Sequence, residues 1–208
     1  MTLCDKRYLA AFGLLLVLSA GTPPAMAAAD TDGDGLPDAA EPVLGTDPVN
    51  ADTDGGGAND LADEAPLSAE NKIRQSGKAN GFSFTAKVED NFDPKTKKDV
   101  FDHLELEVKN TSAEALTEFQ IFYAVKDDGT GKVESYAKTL DGLSIAAGRM
   151  TSVNFDDTGE PGHFRDNPNS SYHKSENAKT FTIQLATSGY APAQIEIKKD
   201  KGGAETTD

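Results

Sequence analysis

Residues 118–126 read EFQIFYAVK, and large apolar side chains stand at four alternate positions: Phe119, Ile121, Tyr123 and Val125. Successive side chains of a β-strand point to opposite faces of its sheet. An apolar residue at every second position is therefore typical of a strand that buries one face in a core. This stretch predicts that the fold around it is mainly β.

The same period of two recurs across residues 81–200. It appears in residues 82–88, 104–108, 153–155, 181–185 and 195–197, and more weakly in 133–139 and 143–145. Turn-forming pairs such as Asp128-Gly129 and Ser188-Gly189 separate these segments. About seven or eight short strands at this spacing predict an antiparallel, immunoglobulin-like β-sandwich without a helix of useful length.

The N-terminus has the layout of a secretory signal peptide. Lys6 and Arg7 precede an apolar run from Tyr8 to Ala20, and small residues follow at Ala25 and Ala27. We expect cleavage after Ala27 or Ala28, which makes residues 1–28 the signal peptide. The apolar run is shorter than the roughly 20 residues of a membrane-spanning helix, although a retained membrane anchor is the alternative.

Cleavage would remove Cys4, the single cysteine of the chain, so we expect a mature protein without disulfides. The full chain carries a formal net charge of −15, and loss of the leader makes it one unit more negative. Such a charge repels nucleic acid and anionic membranes, so both are poor candidates for partners, and it attracts cations.

Residues 29–64 are rich in Asp, Gly, Ala and Pro and contain few large apolar side chains. That is too little to bury a core, so we expect this segment to be disordered unless something else orders it. Residues 65–80 form a polar linker to the sandwich. Residues 201–208 form a polar tail that we expect to be disordered.

A twelve-residue loop begins at Asp30 and has the spacing of a calcium site. Its acidic residues occupy positions one, three, five, nine and twelve: Asp30, Asp32, Asp34, Asp38 and Glu41. Gly35 at position six allows a sharp turn, and Leu36 offers its backbone carbonyl at position seven. Calcium takes six to eight oxygen ligands, which these positions supply. A solvated acidic linker is the alternative interpretation.

A second, weaker loop follows the first. Its acidic positions one, three, nine and twelve are Asp52, Asp54, Asp60 and Asp63. Gly56 at position five brings no side-chain oxygen, so this loop either binds calcium more weakly or borrows ligands. Asp47 and Asn50, between the loops, are candidate donors. A flexible glycine stretch is the alternative here.

The run from Asp30 to Glu64 resembles thrombospondin type 3 repeats, which bacterial secreted and cell-envelope proteins also carry. The resemblance implies Ca²⁺ held by consecutive aspartates, little regular structure, and an extracellular role as an adhesive segment or spacer. Gly56 departs from the usual aspartate of the family. The resemblance does not extend to the sandwich. EF-hand and dockerin loops share the spacing, but well-formed flanking helices are not evident in this sequence.

The second half of the chain shows no sequence motif for catalysis, so we expect no enzymatic activity. The chain has no tryptophan, and this weakens the case for a carbohydrate-binding module, which usually offers flat aromatic side chains to sugar rings. The long loop 156–173 contains two of the three histidines. It is either a metal or ligand site or, as we favour, a surface crossover. In that case Phe164 and Tyr172 pack onto the edge of the sandwich and the polar residues of the loop face water.

These observations predict a bacterial protein that is secreted, periplasmic or held at the cell surface. In this interpretation a calcium-ordered spacer presents the β-sandwich as a structural or adhesion module. Its partners would be calcium ions and an extracellular protein or polysaccharide. An accessory carbohydrate-binding module is the alternative, and an enzyme that uses loop 156–173 is the third candidate.

Overall fold

The computed structural model describes residues 28–75, 77–79, 81–88, 92–93, 98–99, 103–156 and 158–202. The predicted signal peptide, except for its last residue, and most of the predicted C-terminal tail lie outside the described residues. Gly202, from the start of that tail, donates its backbone N–H to the Glu176 carbonyl at 2.9 Å. The domain boundaries drawn from the sequence stay predictions.

The described chain contains two short helices and ten strands. In chain order they are α1 (Glu41–Leu44), β1 (Phe82–Lys87), β2 (Phe92–Asp93), β3 (Lys98–Asp99), β4 (Glu105–Asn110), β5 (Gln120–Asp127), β6 (Val133–Thr139), β7 (Met150–Phe155), β8 (His163–Phe164), α2 (Ser171–Lys174), β9 (Lys179–Ala186) and β10 (Ala193–Lys199). No helix among the described residues has the length and apolar character needed to cross a membrane.

The strands form two four-stranded sheets, which confirms the predicted mainly β fold. One sheet has the order β1-β4-β7-β8 and the other β10-β9-β5-β6, while β2 and β3 pair with each other. All pairs are antiparallel except β7 with β8, which is parallel. Two mostly antiparallel sheets that share one core are consistent with the predicted β-sandwich.

The core lies between the inner faces of the two sheets. The four alternating residues that predicted β5 are all at most 2% exposed: Phe119, Ile121, Tyr123 and Val125. Tyr123 stands opposite Ile183 of β9 in the ladder, and Leu106 of β4 stands opposite Val153 of β7. Burial of these side chains stabilises the fold because it removes apolar surface from water.

The weaker strand candidates have different outcomes. Residues 133–139 form a full strand, β6, at the edge of its sheet. Residues 143–145 form no strand, and only Ile145 makes an isolated bridge, with Leu116. Leu143 and Ile145 are nevertheless buried. Alternating burial can therefore arise in a loop that packs on the core, without a ladder of hydrogen bonds.

The N-terminal segment and the linker run along the free edge of β6. Ala137 donates its N–H to the Asp54 carbonyl at 2.7 Å, and Ser135 donates to the Leu67 carbonyl at 3.0 Å. Ala69 in turn donates its N–H to the Ser135 carbonyl at 3.0 Å. Edge strands expose unpaired backbone groups that invite wrong pairing. The predicted spacer is therefore packed on the sandwich in this structure, because its backbone supplies the partners that β6 lacks.

Loop 156–173 packs as favoured from the sequence, but its polar residues are less exposed than expected. Tyr172 is buried in the core, and Phe164 packs against it. Asn167, Asn169 and Ser170 are also buried. The Asn167 and Asn169 side chains lie beside the N-terminal segment.

Candidate metal centre

Asp30 and Asp52 begin two loops that repeat the same hydrogen bonds. Asp30 accepts the N–H groups of Gly33 and Gly35 at 2.9 and 3.2 Å. Asp52 accepts those of Gly55 and Gly57 at 3.0 and 2.9 Å. All four glycines have positive φ, which disfavours other residues. The repeated glycines therefore let each loop fold back onto its own first aspartate.

Three carboxylates converge in the first loop. Asp30, Asp32 and Asp34 each bring one oxygen so that the three oxygens lie within 4.8 Å of one another. Asp34 is 6% exposed, and one oxygen each of Asp32 and Asp34 is buried without a hydrogen-bond partner. Buried charges of one sign destabilise a fold unless a counter-ion or donor meets them. This is an arrangement that a cation would stabilise.

Glu41 closes the same loop from α1. Its side chain is 0% exposed, and neither carboxylate oxygen has a hydrogen-bond partner. Burial, and after it the nearby charges of Asp32 and Asp34, together raise the pKa of Glu41 to about 7. Pro42 follows at the start of the helix, and Gly45, at φ 91°, ends it after one turn. The single turn is enough to bring position twelve back to the aspartates.

The donor set fits a hard divalent cation. Its members are carboxylates, and the group of three contains no histidine or cysteine. Calcium prefers such oxygen ligands, whereas zinc favours nitrogen and sulfur. The buried oxygens that lack partners are the atoms such an ion would satisfy. Among the described residues, the aspartate triad is the one group of three whose ligand atoms come this close together.

Two other predicted ligands of the first loop have different surroundings. Both oxygens of Asp38 are engaged by Thr31, one by its N–H and one by its hydroxyl, each at 2.7 Å. Asp38 therefore closes the base of the loop. Leu36 donates its N–H to Asp34 at 2.6 Å, which orients that carboxylate. A metal-ligating role for the Leu36 carbonyl stays a prediction.

The carboxylates of the second loop accept hydrogen bonds from other groups of the protein. Asp54 accepts the N–H groups of Gly56 at 2.6 Å and Ser68 at 2.7 Å, and its burial raises its pKa. Asp60 accepts both the N–H and the hydroxyl of Thr53, and burial raises the pKa of Asp60 as well. Asp63, which is partly exposed, accepts the Ala65 N–H at 2.7 Å.

The residues between the loops face the sandwich and the second loop. Asp47 is 1% exposed and forms a two-pronged ion pair with Arg165, in which Nη2 lies 2.7 Å from Oδ1. Asn50 donates its side-chain amide to the Asp52 carbonyl at 2.9 Å. The structure therefore pairs Asp47 with Arg165 of loop 156–173 and does not group it with the convergent triad.

Sequence reasoning missed the residues that hold the segment in place. Asn167 donates to the Gly45 carbonyl at 2.8 Å, and Asn169 donates to the Thr46 carbonyl at 2.7 Å. Together with Arg165, they hydrogen-bond the chain just after α1. The unusual length of loop 156–173 was a signal that it has a role, but nothing in its sequence indicated which partner it meets.

The histidines pair with carboxylates near the same loop. His163 Nδ1 lies 2.8 Å from Asp156, and His173 Nε2 lies 2.9 Å from Asp166. His103 approaches Asp156 at 3.8 Å. The first two pairs join residues within loop 156–173. Among the described residues they do not complete a group of three metal ligands like that of the aspartates.

Comparison with known proteins gives one family match, and it covers this centre. The profile of the bacterial TSP3 repeat, the thrombospondin type 3 repeat, matches residues 30–51. No curated protein matches the chain. TSP3 repeats are calcium-binding and typical of extracellular proteins.

Solved structures resemble the chain only weakly. The protein named ApaA from Bordetella pertussis has 13% identity, with 63% of this chain and 100% of that chain covered and a TM-score of 0.34. A Bacteroides uniformis β-glucuronidase has 13% identity, 58% and 13% coverage, and a TM-score of 0.31. A Listeria innocua β-glucosidase has 16% identity, 59% and 16% coverage, and a TM-score of 0.27. These likenesses carry no argument about function. The resemblance that the aspartate spacing predicted is thus confirmed: residues 30–51 match the bacterial thrombospondin type 3 repeat family.

Proposed function

We propose that this chain is a non-catalytic calcium-binding structural protein that works outside the bacterial cytoplasm. The single observation that carries the proposal is the carboxylate of Glu41, which is fully buried beside Asp32 and Asp34 without any hydrogen-bond partner. A bound ion would neutralise this cluster and bridge the two ends of the loop. The family match to the same residues supports calcium as that ion.

The residues that would hold the ion are Asp30, Asp32, Asp34 and Glu41, with the carbonyl of Leu36 as a further oxygen. Extracellular calcium modules function with dissociation constants of about 10⁻⁴–10⁻³ M, because calcium is abundant there. A weak site of this kind is filled outside the cell. Secretion of the chain and an adhesive role of the sandwich belong to the same proposal.

The contacts favour a segment that is attached to the sandwich over a spacer that is free of it. The N-terminal segment supplies hydrogen bonds to the edge of β6 and receives others from Arg165, Asn167 and Asn169. Calcium in the first loop would therefore order a segment that already lies on the sandwich. The module offered to an extracellular protein or polysaccharide would be this combined unit.

Calorimetric titration of residues 28–208 with calcium tests the proposal. We expect saturable binding that is lost in the double variant Asp32→Asn/Asp34→Asn, which keeps the side-chain shapes and removes two charges. Asp141→Asn, at an exposed turn remote in sequence, serves as the matched control and should bind like the wild type. Equal binding by the double variant and the wild type, or no binding by either, would contradict the proposal.

A further inference from the structure

We propose that the second repeat, residues 52–63, takes no ion and serves instead as the anchor that fixes the N-terminal segment to β6. This inference rests on the proposed calcium site of the first repeat, because it compares the two loops position by position. Their first and ninth positions are alike. Each first aspartate accepts two glycine N–H groups, and each ninth aspartate accepts the N–H and the hydroxyl of a threonine. The differences fall at positions three, five and twelve.

Position three differs in the state of its second oxygen. Asp32 Oδ2 is buried and has no hydrogen-bond partner. In the second repeat, Asp54 Oδ2 accepts the backbone N–H of Ser68 at 2.7 Å. Ser68 belongs to the linker, which runs beside β6. The linker therefore supplies to Asp54 the hydrogen-bond donor that Asp32 Oδ2 lacks.

Position five differs in whether a ligand exists. Asp34 brings an oxygen that is buried and partnerless, whereas Gly56 brings no side chain. A Cβ built on Gly56 would lie 2.7 Å from Asp54 Oδ1, so the neighbouring carboxylate already occupies that space. The Lys72 ammonium also donates to the Gly56 carbonyl at 2.7 Å. A cationic group of the protein thus contacts the backbone of the residue at position five, where the first loop carries an acid.

Position twelve differs in burial. Glu41 is 0% exposed with two partnerless oxygens, whereas Asp63 is partly exposed and accepts the Ala65 N–H. The shorter side chain of Asp63 is turned to its own following turn. The second loop therefore lacks the closing carboxylate as well as the ligand at position five. Among its side chains, none has the buried, unsatisfied oxygens that characterise the first loop.

The second loop has a different partner, the edge of β6. The carbonyl of Asp54 accepts the Ala137 N–H at 2.7 Å. A Cβ built on the next residue, Gly55, would lie 1.8 Å from the Ala137 carbonyl oxygen, so the loop backbone is pressed against the strand. The equivalent glycine of the first loop, Gly33, has nothing within 4 Å of its Cβ position. The two loops share one local fold, but the first has open space beside Gly33 whereas the second packs against β6 at Gly55.

Counting the bound ions tests the first half of the inference. Equilibrium dialysis of residues 28–208 against calcium should give one ion per chain, which Asp32→Asn loses and Asp54→Asn, at the same position of the second repeat, retains. Two ions per chain would leave the proposed function standing and overturn this inference. Loss of the single ion in Asp54→Asn, with the circular dichroism of the sandwich intact, would also overturn it. No bound ion would reject the proposed function itself.

A pair of matched glycine variants tests the anchor. Gly55→Ala and Gly33→Ala impose the same backbone strain, because the two φ angles are 74° and 76°, but only Gly55→Ala meets the Ala137 carbonyl. We expect Gly55→Ala to abolish the hydrogen-exchange protection of the Ala137 amide, and Gly33→Ala to preserve it. Equal protection of that amide in both variants would overturn the anchor role.

Discussion

The carboxyl group of Glu41 lacks the hydrogen bonds that water gives an exposed carboxyl group. It is fully buried, it faces other carboxylates, and no donor reaches it. Its neighbours Asp32 and Asp34 each have one buried oxygen in the same condition. In the absence of an ion these three residues oppose folding of the loop, whereas in the proposed calcium-bound state they would be the ligands that close it. At this scale, the proposed function replaces repulsion between carboxylates with coordination of an ion.

Glu41→Gln should therefore have opposite effects on the two states. Without calcium the variant removes a buried negative charge, so the free energy of unfolding should not fall. With calcium the variant lacks a charged ligand, and we expect the affinity to fall by roughly a hundredfold, about 2.7 kcal/mol. Chemical denaturation and calcium titration of both proteins measure the two effects. A variant that binds calcium as tightly as the wild type would exclude Glu41 from the site.

The raised pKa of Glu41 gives calcium binding a defined pH dependence. The folded, calcium-free protein holds a proton on Glu41 up to a pKa of about 7, whereas the usual value is 4.5. The calcium-free fold should therefore lose stability as pH rises from about 4.5 to about 7, because its unfolded state releases the proton first. Calcium should displace this proton, so affinity should increase with pH up to about 7 and then level off.

Proton release on calcium binding can be measured by calorimetry in buffers of different ionisation enthalpy. Near pH 6 we expect close to one proton released by the wild type and a smaller number by Glu41→Gln, which serves as the control. Equal proton release by the two proteins would assign the titration to another group.

The elements meet at β6, whose free edge carries the N-terminal segment and the linker. The first strand-like contact is the pairing of Ser135 with residues 67–69, and the second is Ala137 with Asp54. Loop 156–173 contacts the chain after α1 through Arg165, Asn167 and Asn169. These elements surround a segment that has little apolar surface of its own. Hydrogen bonds and one buried ion pair hold it where a hydrophobic core cannot.

Arg165→Ala should release part of this attachment. The substitution leaves Asp47, which is 1% exposed, without its ionic partner. Removing one member of a buried, hydrogen-bonded pair costs about 2–5 kcal/mol, and we expect a value near 2 because the guanidinium is 35% exposed. Denaturant unfolding measures this loss. The exposed Arg149→Ala is the control, and equal stability of the two variants would show that the ion pair contributes nothing.

At the scale of the molecule, calcium binding and the stability of the sandwich should be linked. The segment that carries the candidate metal centre also covers an edge of the second sheet, so ordering one should protect the other. A ligand that binds only the folded state stabilises it by about 2.7 kcal/mol at a hundredfold excess over the dissociation constant. We therefore expect calcium to raise the melting temperature of the sandwich, and EGTA to reverse the effect.

Scanning calorimetry with and without calcium, beside the Asp32→Asn/Asp34→Asn variant, measures this linkage. The variant should melt at one temperature in both conditions. A calcium-independent melting temperature for a wild-type protein that does bind calcium would mean that the segment and the sandwich are energetically separate, as a free spacer would be.

The sequence was sufficient for features that depend on local spacing. Alternation in residues 119–125 predicted β5, and the positions of Asp30, Asp32, Asp34 and Glu41 predicted the loop whose acids converge. It was insufficient for contacts between distant residues. Arg165 and Asp47 are far apart in the chain, and nothing in the local pattern of either indicates the other. Gly33 and Gly55 lie in nearly identical sequences, yet only the tertiary fold makes one open and the other docked.

The most direct test of the central claim is a crystal structure of residues 28–208 grown in calcium, with anomalous difference density measured at long wavelength. The account predicts one strong peak in the first loop, within about 2.3–2.6 Å of oxygens from Asp30, Asp32, Asp34 and Glu41. Well-ordered density in which these carboxylates turn outward, with no anomalous peak among them, would contradict it.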